Sequence, residues 1–105
     1  LHALATGALL SPESTAFLLA AMERTATFSD RLRAGAPPGW TVAHKTGTGP
    51  TRGGVNQATN DVGILTAPDG GRIALAVFLS GSRLPPAERA VPIARAADAT
   101  VAAWR

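Results

Sequence analysis

Trp40-Thr41-Val42-Ala43-His44-Lys45-Thr46-Gly47-Thr48-Gly49 decides how this 105-residue chain is read. It is an extended run ending in the only lysine of the sequence, followed at once by threonine and glycine. Successive side chains of a strand alternate between faces, so Lys45 and Gly47 share one face and Thr46 and Thr48 the other. Glycine at 47 lets a ligand approach the backbone closely. A cation, a hydroxyl and an open backbone within three residues suit an anion. An extended ligand could pair with the strand edge while an ammonium and a hydroxyl hold its carboxylate, a charge-assisted contact of about 1.5–3 kcal/mol. A lone Lys-Thr-Gly equally describes a strand that ends in a glycine loop.

The glycines raise a competing possibility, a phosphate-cradling loop. Their order excludes it: a P-loop places lysine after its glycines and opens a helix, whereas Lys45 precedes them and Pro50 and more glycine follow. No helix follows to offer its positive end to a dinucleotide. The polar, glycine-rich stretch from Gly49 to Thr59 reads as a mobile connection. Asp61–Ala67 is then a second strand, Pro68-Asp69-Gly70-Gly71 a turn, and Arg72–Leu79 a third strand. This third strand is apolar at almost every position instead of alternating, which predicts cover on both faces and a place inside the sheet.

Helices flank these strands. Leu1-His2-Ala3-Leu4-Ala5-Thr6-Gly7 reads as the last turn or two of a helix closing on a glycine. Helices shorter than about 12 residues are marginal in water, and the segment shows neither an initiator methionine nor signal-peptide regions, so the chain is expected to be a piece of something longer. Ser11-Pro12-Glu13-Ser14 starts a helix: serine caps, proline suits the first position, and glutamate complements the dipole. Phe17, Leu18, Ala21, Met22 and Thr25 recur at helical spacing and predict a buried stripe. A short turn or helix around Ser29–Arg33 runs into the loop Gly35-Ala36-Pro37-Pro38-Gly39. A closing helix runs from about Pro86 to Trp104 with Ile93, Ala97, Val101 and Trp104 on one face, and Pro92 predicts a kink or restart within it. The order of elements indicates an α+β fold: an antiparallel sheet packed against a helix on its N-terminal side and a C-terminal helix.

Composition narrows the function. A chain of this length forms at most one domain with a modest core. No apolar run reaches the roughly 20 residues that span a bilayer, so no membrane association is expected. The net charge of +3 comes from nine arginines and one lysine. They are spaced singly, without the basic stripe and interleaved aromatics that nucleic acid would favour. Cysteine is absent, and two histidines, His2 and His44, make a protein-built zinc site improbable.

With these segments in order, the chain resembles a known family. Ala43-His44-Lys45-Thr46-Gly47-Thr48, Ala58-Thr59-Asn60-Asp61-Val62-Gly63, the Pro68-Asp69-Gly70 turn, the Ala74–Leu79 strand and a closing helix ending in Trp104 look like the C-terminal part of a class A serine β-lactamase, over nearly the whole chain. The long connection before Asn60-Asp61 is similar to that of the PER-type subgroup. Lys-Thr-Gly recurs across penicillin-recognising enzymes, so the specificity lies in the ordered set of segments. The resemblance implies that Lys45, Thr46 and Gly47 line the β-lactam site, with Lys45 and Thr46 binding the carboxylate next to the scissile amide. It implies that the Thr48 amide helps form the oxyanion hole, and that Arg31 is the arginine some members use to support the carboxylate pocket. A solvated Arg31 on a short helix is the competing reading. His44 is expected to be a packed neighbour of Lys45 and not a base.

The departures from the family pattern are as informative. Its nucleophile comes from Ser-x-x-Lys, yet no serine stands three positions before Lys45. Ser29-Asp30-Arg31 imitates the Ser-Asp-Asn element in the wrong segment with the wrong third residue. Glu13, Glu23 and Glu88 fall on helices with surface-type spacing, leaving no candidate general base. Residues 1–105 are therefore expected to form an incomplete β-lactamase/transpeptidase-like domain, inactive by itself, whose partner is the N-terminal segment of the same enzyme. The resemblance further implies a serine acyl-enzyme, no metal or other cofactor, and a periplasmic or secreted location. Two other readings stay open: a piece of a penicillin-binding transpeptidase or carboxypeptidase acting on D-Ala-D-Ala peptides, and a non-catalytic binding or assembly fragment.

Overall fold

The structure, a computed structural model, describes residues 1–104. Its elements are α1 (His2–Ala5), α2 (Pro12–Glu23), α3 (Leu32–Gly35), β1 (Thr41–Thr48), β2 (Thr51–Arg52), β3 (Val55–Asn56), β4 (Thr59–Thr66), β5 (Arg72–Leu79) and α4 (Pro86–Ala103). The expected α+β architecture is present: β1, β4 and β5 form an antiparallel sheet in that order. Register explains the core. Val42 sits opposite Leu65, and Leu65 opposite Ile73, so one face presents a continuous apolar row. Leu32 of α3 and Ile93 and Ala97 of α4 close over Val42 and Leu65, with Trp40, Leu75, Val77 and Val101 at the margin. Fully burying side chains such as Leu32, Leu65 and Ile93 contributes about 1.5–3 kcal/mol each. Trp104 closes this layer edge-on against Trp40, their ring centroids 6.4 Å apart.

Local signals were accurate. Ser11 caps α2, its hydroxyl accepting from the Ser14 N–H at 3.1 Å, with Pro12 in the first turn. After α1, Gly7 adopts a φ of 77°, the Gly7 N–H donates to the Leu4 carbonyl, and the Ala8 N–H donates to that of Ala3. This paired closure needs a left-handed residue, which glycine supplies.

Three expectations are corrected, and one alternative of a fourth is removed. β5 lies at the sheet edge, not inside it, and its residues alternate between exposed and half-buried. Ile73, Leu75 and Val77 face the core, while Ala74, Ala76 and Phe78 face outward and Phe78 is 71% exposed. At the Arg72 end of that outer face, Arg72 Nη1 donates to the Ala5 carbonyl of α1. An unbroken apolar run does not say which face is covered. The same silence explains α2, where no residue is buried and Phe17 and Leu18 face outward. Residues 16–22 are apolar all round, so periodicity could not choose the packed side. α2 rests on the second sheet face over a cavity of about 210 Å³ bordered by Leu19, Ala20, Ala43 and Ile64.

The connection after β1 is ordered, since β2 and β3 pair as a small hairpin turned by Gly53 and Gly54, both at positive φ. α4, finally, runs through Pro92 without a restart. Proline deprives the Glu88 carbonyl of its donor, but both residues are exposed and water can replace the bond.

Close approach of α3 to α4 depends on Gly35. A Cβ there would run into the Ala94 carbonyl and lie 2.8 Å from the Ala97 Cβ. Because the obstacle is backbone, Gly35→Ala is expected to destabilise the fold by about 1–3 kcal/mol, measured by chemical denaturation; an unchanged midpoint would contradict this packing.

Candidate functional site

β1 has an inner edge paired with β4 and an outer edge with a different occupant. The Val42 carbonyl accepts from Arg33 Nη2 at 3.1 Å and the His44 carbonyl from Thr25 Oγ1 at 2.9 Å. Backbone groups alternate in direction along an antiparallel strand, so Thr46 and Thr48 also direct theirs to this outer edge. The segment Thr25–Thr27 runs alongside as far as Thr46, where the Thr27 and Thr46 hydroxyls lie 3.3 Å apart. Beyond it, the Thr48 N–H faces outward at the unfilled end of the strand. Lys45 Nζ donates to the Thr46 carbonyl at 2.6 Å, which places the cation beside the same edge. The side chains alternate as expected: Lys45 and Gly47 are exposed, His44 and Thr46 buried.

Arg31 is not a solvated arginine. It is 2% exposed and lies beneath the end of β1. Its Nη2 donates to Thr48 Oγ1 at 2.7 Å, and its Nη1 to the Asn60 carbonyl at 2.9 Å and the Gly47 carbonyl at 3.3 Å. All three acceptors are neutral, and among the described residues no carboxylate comes within the 4.0 Å of an ion pair with it. Burial lowers its pKa from arginine's usual value, opposed by Asp30 and Asp61 and reinforced by Arg89. Arginine starts high enough to remain charged at neutral pH. The structure therefore holds a desolvated positive charge, without a direct counter-ion, under the strand edge that carries Lys45.

Asp61 fixes this arrangement. Its fully buried carboxylate accepts from the Leu32 N–H at 3.1 Å and from His44 Nδ1 at 2.9 Å. Because a carboxylate only accepts, His44 carries its ring proton on Nδ1. His44 Nε2 is buried without a partner among the described residues. His44 is thus packed beneath the sheet, as expected of a neighbour of Lys45. Gly63 stands opposite His44 because a Cβ there would lie 2.6 Å from the Ala43 carbonyl and 2.9 Å from the His44 Cβ.

The hairpin after Thr48 is pinned from below. Asn56, Thr59 and Arg89 are all buried. Arg89 Nε donates to Thr59 Oγ1, which donates to Asn56 Oδ1, while Asn56 Nδ2 donates to the Gly49 carbonyl. The closing helix in this way holds the loop that leaves the site.

Of the residues singled out from sequence, Lys45, Thr46, Gly47, Thr48 and Arg31 come together at one strand end. Ser29 and Asp30 remain exposed in the turn before α3, and Glu13, Glu23 and Glu88 are exposed, the Glu23 carbonyl accepting from the same Arg33 Nη2 that reaches Val42. Sequence reading missed Thr25 and Thr27, although hydroxyls two residues apart carry the period of a strand-edge companion. It missed the structural part of Asp61, Asn56 and Arg89, for which no local pattern exists.

Removing the Asp61 carboxylate leaves a buried imidazole and a buried N–H unpaired. Asp61→Ala is expected to cost about 3–5 kcal/mol in denaturation, with a double-mutant cycle against His44→Ala showing coupling above about 1 kcal/mol; additive losses would refute the pairing.

Comparisons with known proteins agree with one another. The β-lactamase enzyme family matches residues 1–104. β-Lactamase VEB-1 of Pseudomonas aeruginosa is 44% identical over 75 residues, covering 71% of this chain and 25% of its own. Extended-spectrum β-lactamase PER-1 of the same organism is 45% identical over 73 residues, covering 70% and 24%. The crystal structure of a class A β-lactamase from Bacteroides cellulosilyticus superposes with a TM-score of 0.85 at 32% identity, covering 92% of this chain and 35% of that one. The chain thus spans about a quarter to a third of the proteins it matches.

Proposed function

The chain belongs to the β-lactamase enzyme family, in its class A branch, and from that premise we propose that it supplies the carboxylate-binding and oxyanion wall of an enzyme that hydrolyses β-lactams. The observation that carries this reading is Arg31, a buried cation with neutral acceptors beneath Thr48 and no ion-pair partner among the described residues. A buried charge is costly until an anion compensates it. In this reading Lys45 and Thr46 bind the carboxylate beside the scissile amide, with Arg31 reinforcing the positive field and Gly47 letting the ligand lie close to the strand. The outward Thr48 N–H donates to the carbonyl oxygen as negative charge develops on it, a contribution of about 3–4 kcal/mol in comparable sites.

Bond breaking belongs to residues outside this stretch. Among the 105 residues there is no Ser-x-x-Lys. A serine nucleophile and a general base are supplied by the N-terminal segment of the same enzyme, the two together running a serine acyl-enzyme cycle without a metal. The edge of β5, which pairs with no further strand among the described residues, and the exposed Phe78 support this division, since an open edge and an apolar face are surfaces that another segment covers. We also propose a periplasmic or secreted location, a reading that family membership supports.

Two measurements test the reading. The 105-residue chain alone is expected to hydrolyse a chromogenic cephalosporin no faster than buffer, and hydrolysis abolished by Lys45→Ala would show that the reactive groups are within it. In the enzyme that contains this chain, Arg31→Ala is expected to lower kcat/KM about 10- to 100-fold, by loss of a charge-assisted contact. Activity within twofold of wild type would remove Arg31 from the site.

A further inference from the structure

Phe28 has an unusual backbone for its side chain. Its φ is 49°, and it is the one non-glycine residue at positive φ among those described. That conformation costs about 1–3 kcal/mol in a residue with a Cβ, and for a bulky residue it is an outlier. Its place accounts for the backbone. The companion segment follows the outer edge of β1 through Thr25 and Thr27. At Phe28 the chain turns away, the Arg31 N–H donating to the Phe28 carbonyl at 3.3 Å before α3 begins. The edge beside Thr48 is left open because the chain leaves it here.

The turn accounts for the backbone but not for an aromatic ring, since glycine or asparagine would take this φ more cheaply. The ring lies over the Arg31 guanidinium, with the Arg31 Cζ 4.0 Å from its centroid. One face therefore rests on the buried cation. Phe28 is nevertheless 45% exposed, so the ring is not a core residue. A flat apolar surface stands at the mouth of the open edge, one layer above the charge that attracts an anion.

We infer that Phe28 is a specificity-determining residue whose open side receives the substituent that a bicyclic β-lactam carries on the ring carbon next to its carboxylate, with flat aromatic groups favoured. This rests on the carboxylate role proposed for Arg31. An anion drawn toward Arg31 brings the neighbouring ring carbon within reach of the ring stacked on that guanidinium. Offset stacking between aromatic rings is strong enough to discriminate substrates by about fivefold.

The test uses the enzyme that contains this chain and two cephalosporins with the same acylamino side chain. One carries a heteroaromatic substituent beside the carboxylate, the other only hydrogen. In Phe28→Ala and Phe28→Gly the ratio of kcat/KM for the first substrate to that for the second is expected to fall about fivefold through KM, and in Phe28→Tyr to stay near wild type. Phe28→Gly keeps the test valid if the alanine variant folds poorly, because glycine accepts the turn without strain. An equal loss on both substrates would reduce the ring to a support for Arg31 and overturn the inference, as would no change on either. A wild-type enzyme that hydrolyses neither compound would overturn the β-lactam reading itself, a result distinct from an unchanged ratio in an active enzyme.

Discussion

The carboxylate of Asp61 is the interaction on which the rest of this structure depends. It is buried in the central strand of the sheet and joins three elements at once: its own strand, His44 of β1 and the first amide of α3. Leu32, which donates that amide, is also a centre of the core. Apolar packing sets how far α3 stands from the sheet, but packing is not directional and would tolerate small slides along the strand. The carboxylate removes that freedom, since hydrogen bonds weaken steeply away from alignment. Arg31 immediately precedes Leu32, so the position of its guanidinium under Thr48 follows from the same anchor.

Around this anchor the polar groups of the site are held from two sides. Arg31 reaches the end of β1 from the α3 side, and Arg89 reaches Thr59 from α4, so two buried guanidiniums bracket the strand pair where the hairpin departs. Thr48 and Thr59 are opposite one another in the sheet register. Each arginine therefore grips one member of the same residue pair. A glycine-rich loop would otherwise be free to fray from this point. With both threonines and Asn56 fixed, the loop can be permissive in backbone and still keep the outward amide of Thr48 in one place.

What was legible in the sequence was what depends on near neighbours. The Ser11 cap, the Gly7 closure, the turn at Pro68–Gly71 and the alternation of Lys45 and Thr46 follow from one or two residues each. Strand order and cover were not legible, because they depend on what packs where. β5 and α2 are both apolar throughout, and a pattern without contrast cannot designate an inner face. Arg31 and Arg89 illustrate the same limit for charge. Singly spaced arginines look alike in a sequence; a family resemblance singled out Arg31, and only the partners brought by distant strands show that Arg31 and Arg89 are buried.

The two faces of the sheet differ in completeness, and the site lies where they meet. The face bearing Val42, Leu65 and Ile73 is sealed by α3 and α4, and Arg31 and Asp61 belong to that side. Lys45 belongs to the other. Across the register Lys45 is followed by Val62 and Ala76, and Gly47 by Asn60 and Phe78, so the cation begins a mostly apolar surface that ends at the free edge of β5. A segment that covered this surface would bury Phe78 and bring its own groups against Lys45 and the open end of β1 in the same movement. On the proposed reading, the hydrophobic effect that completes the fold is then also what assembles the catalytic centre. On that same reading Arg31 and Thr46 serve the site from the sealed side and Lys45 from the open one, and the reactive groups come with the segment that covers the open side.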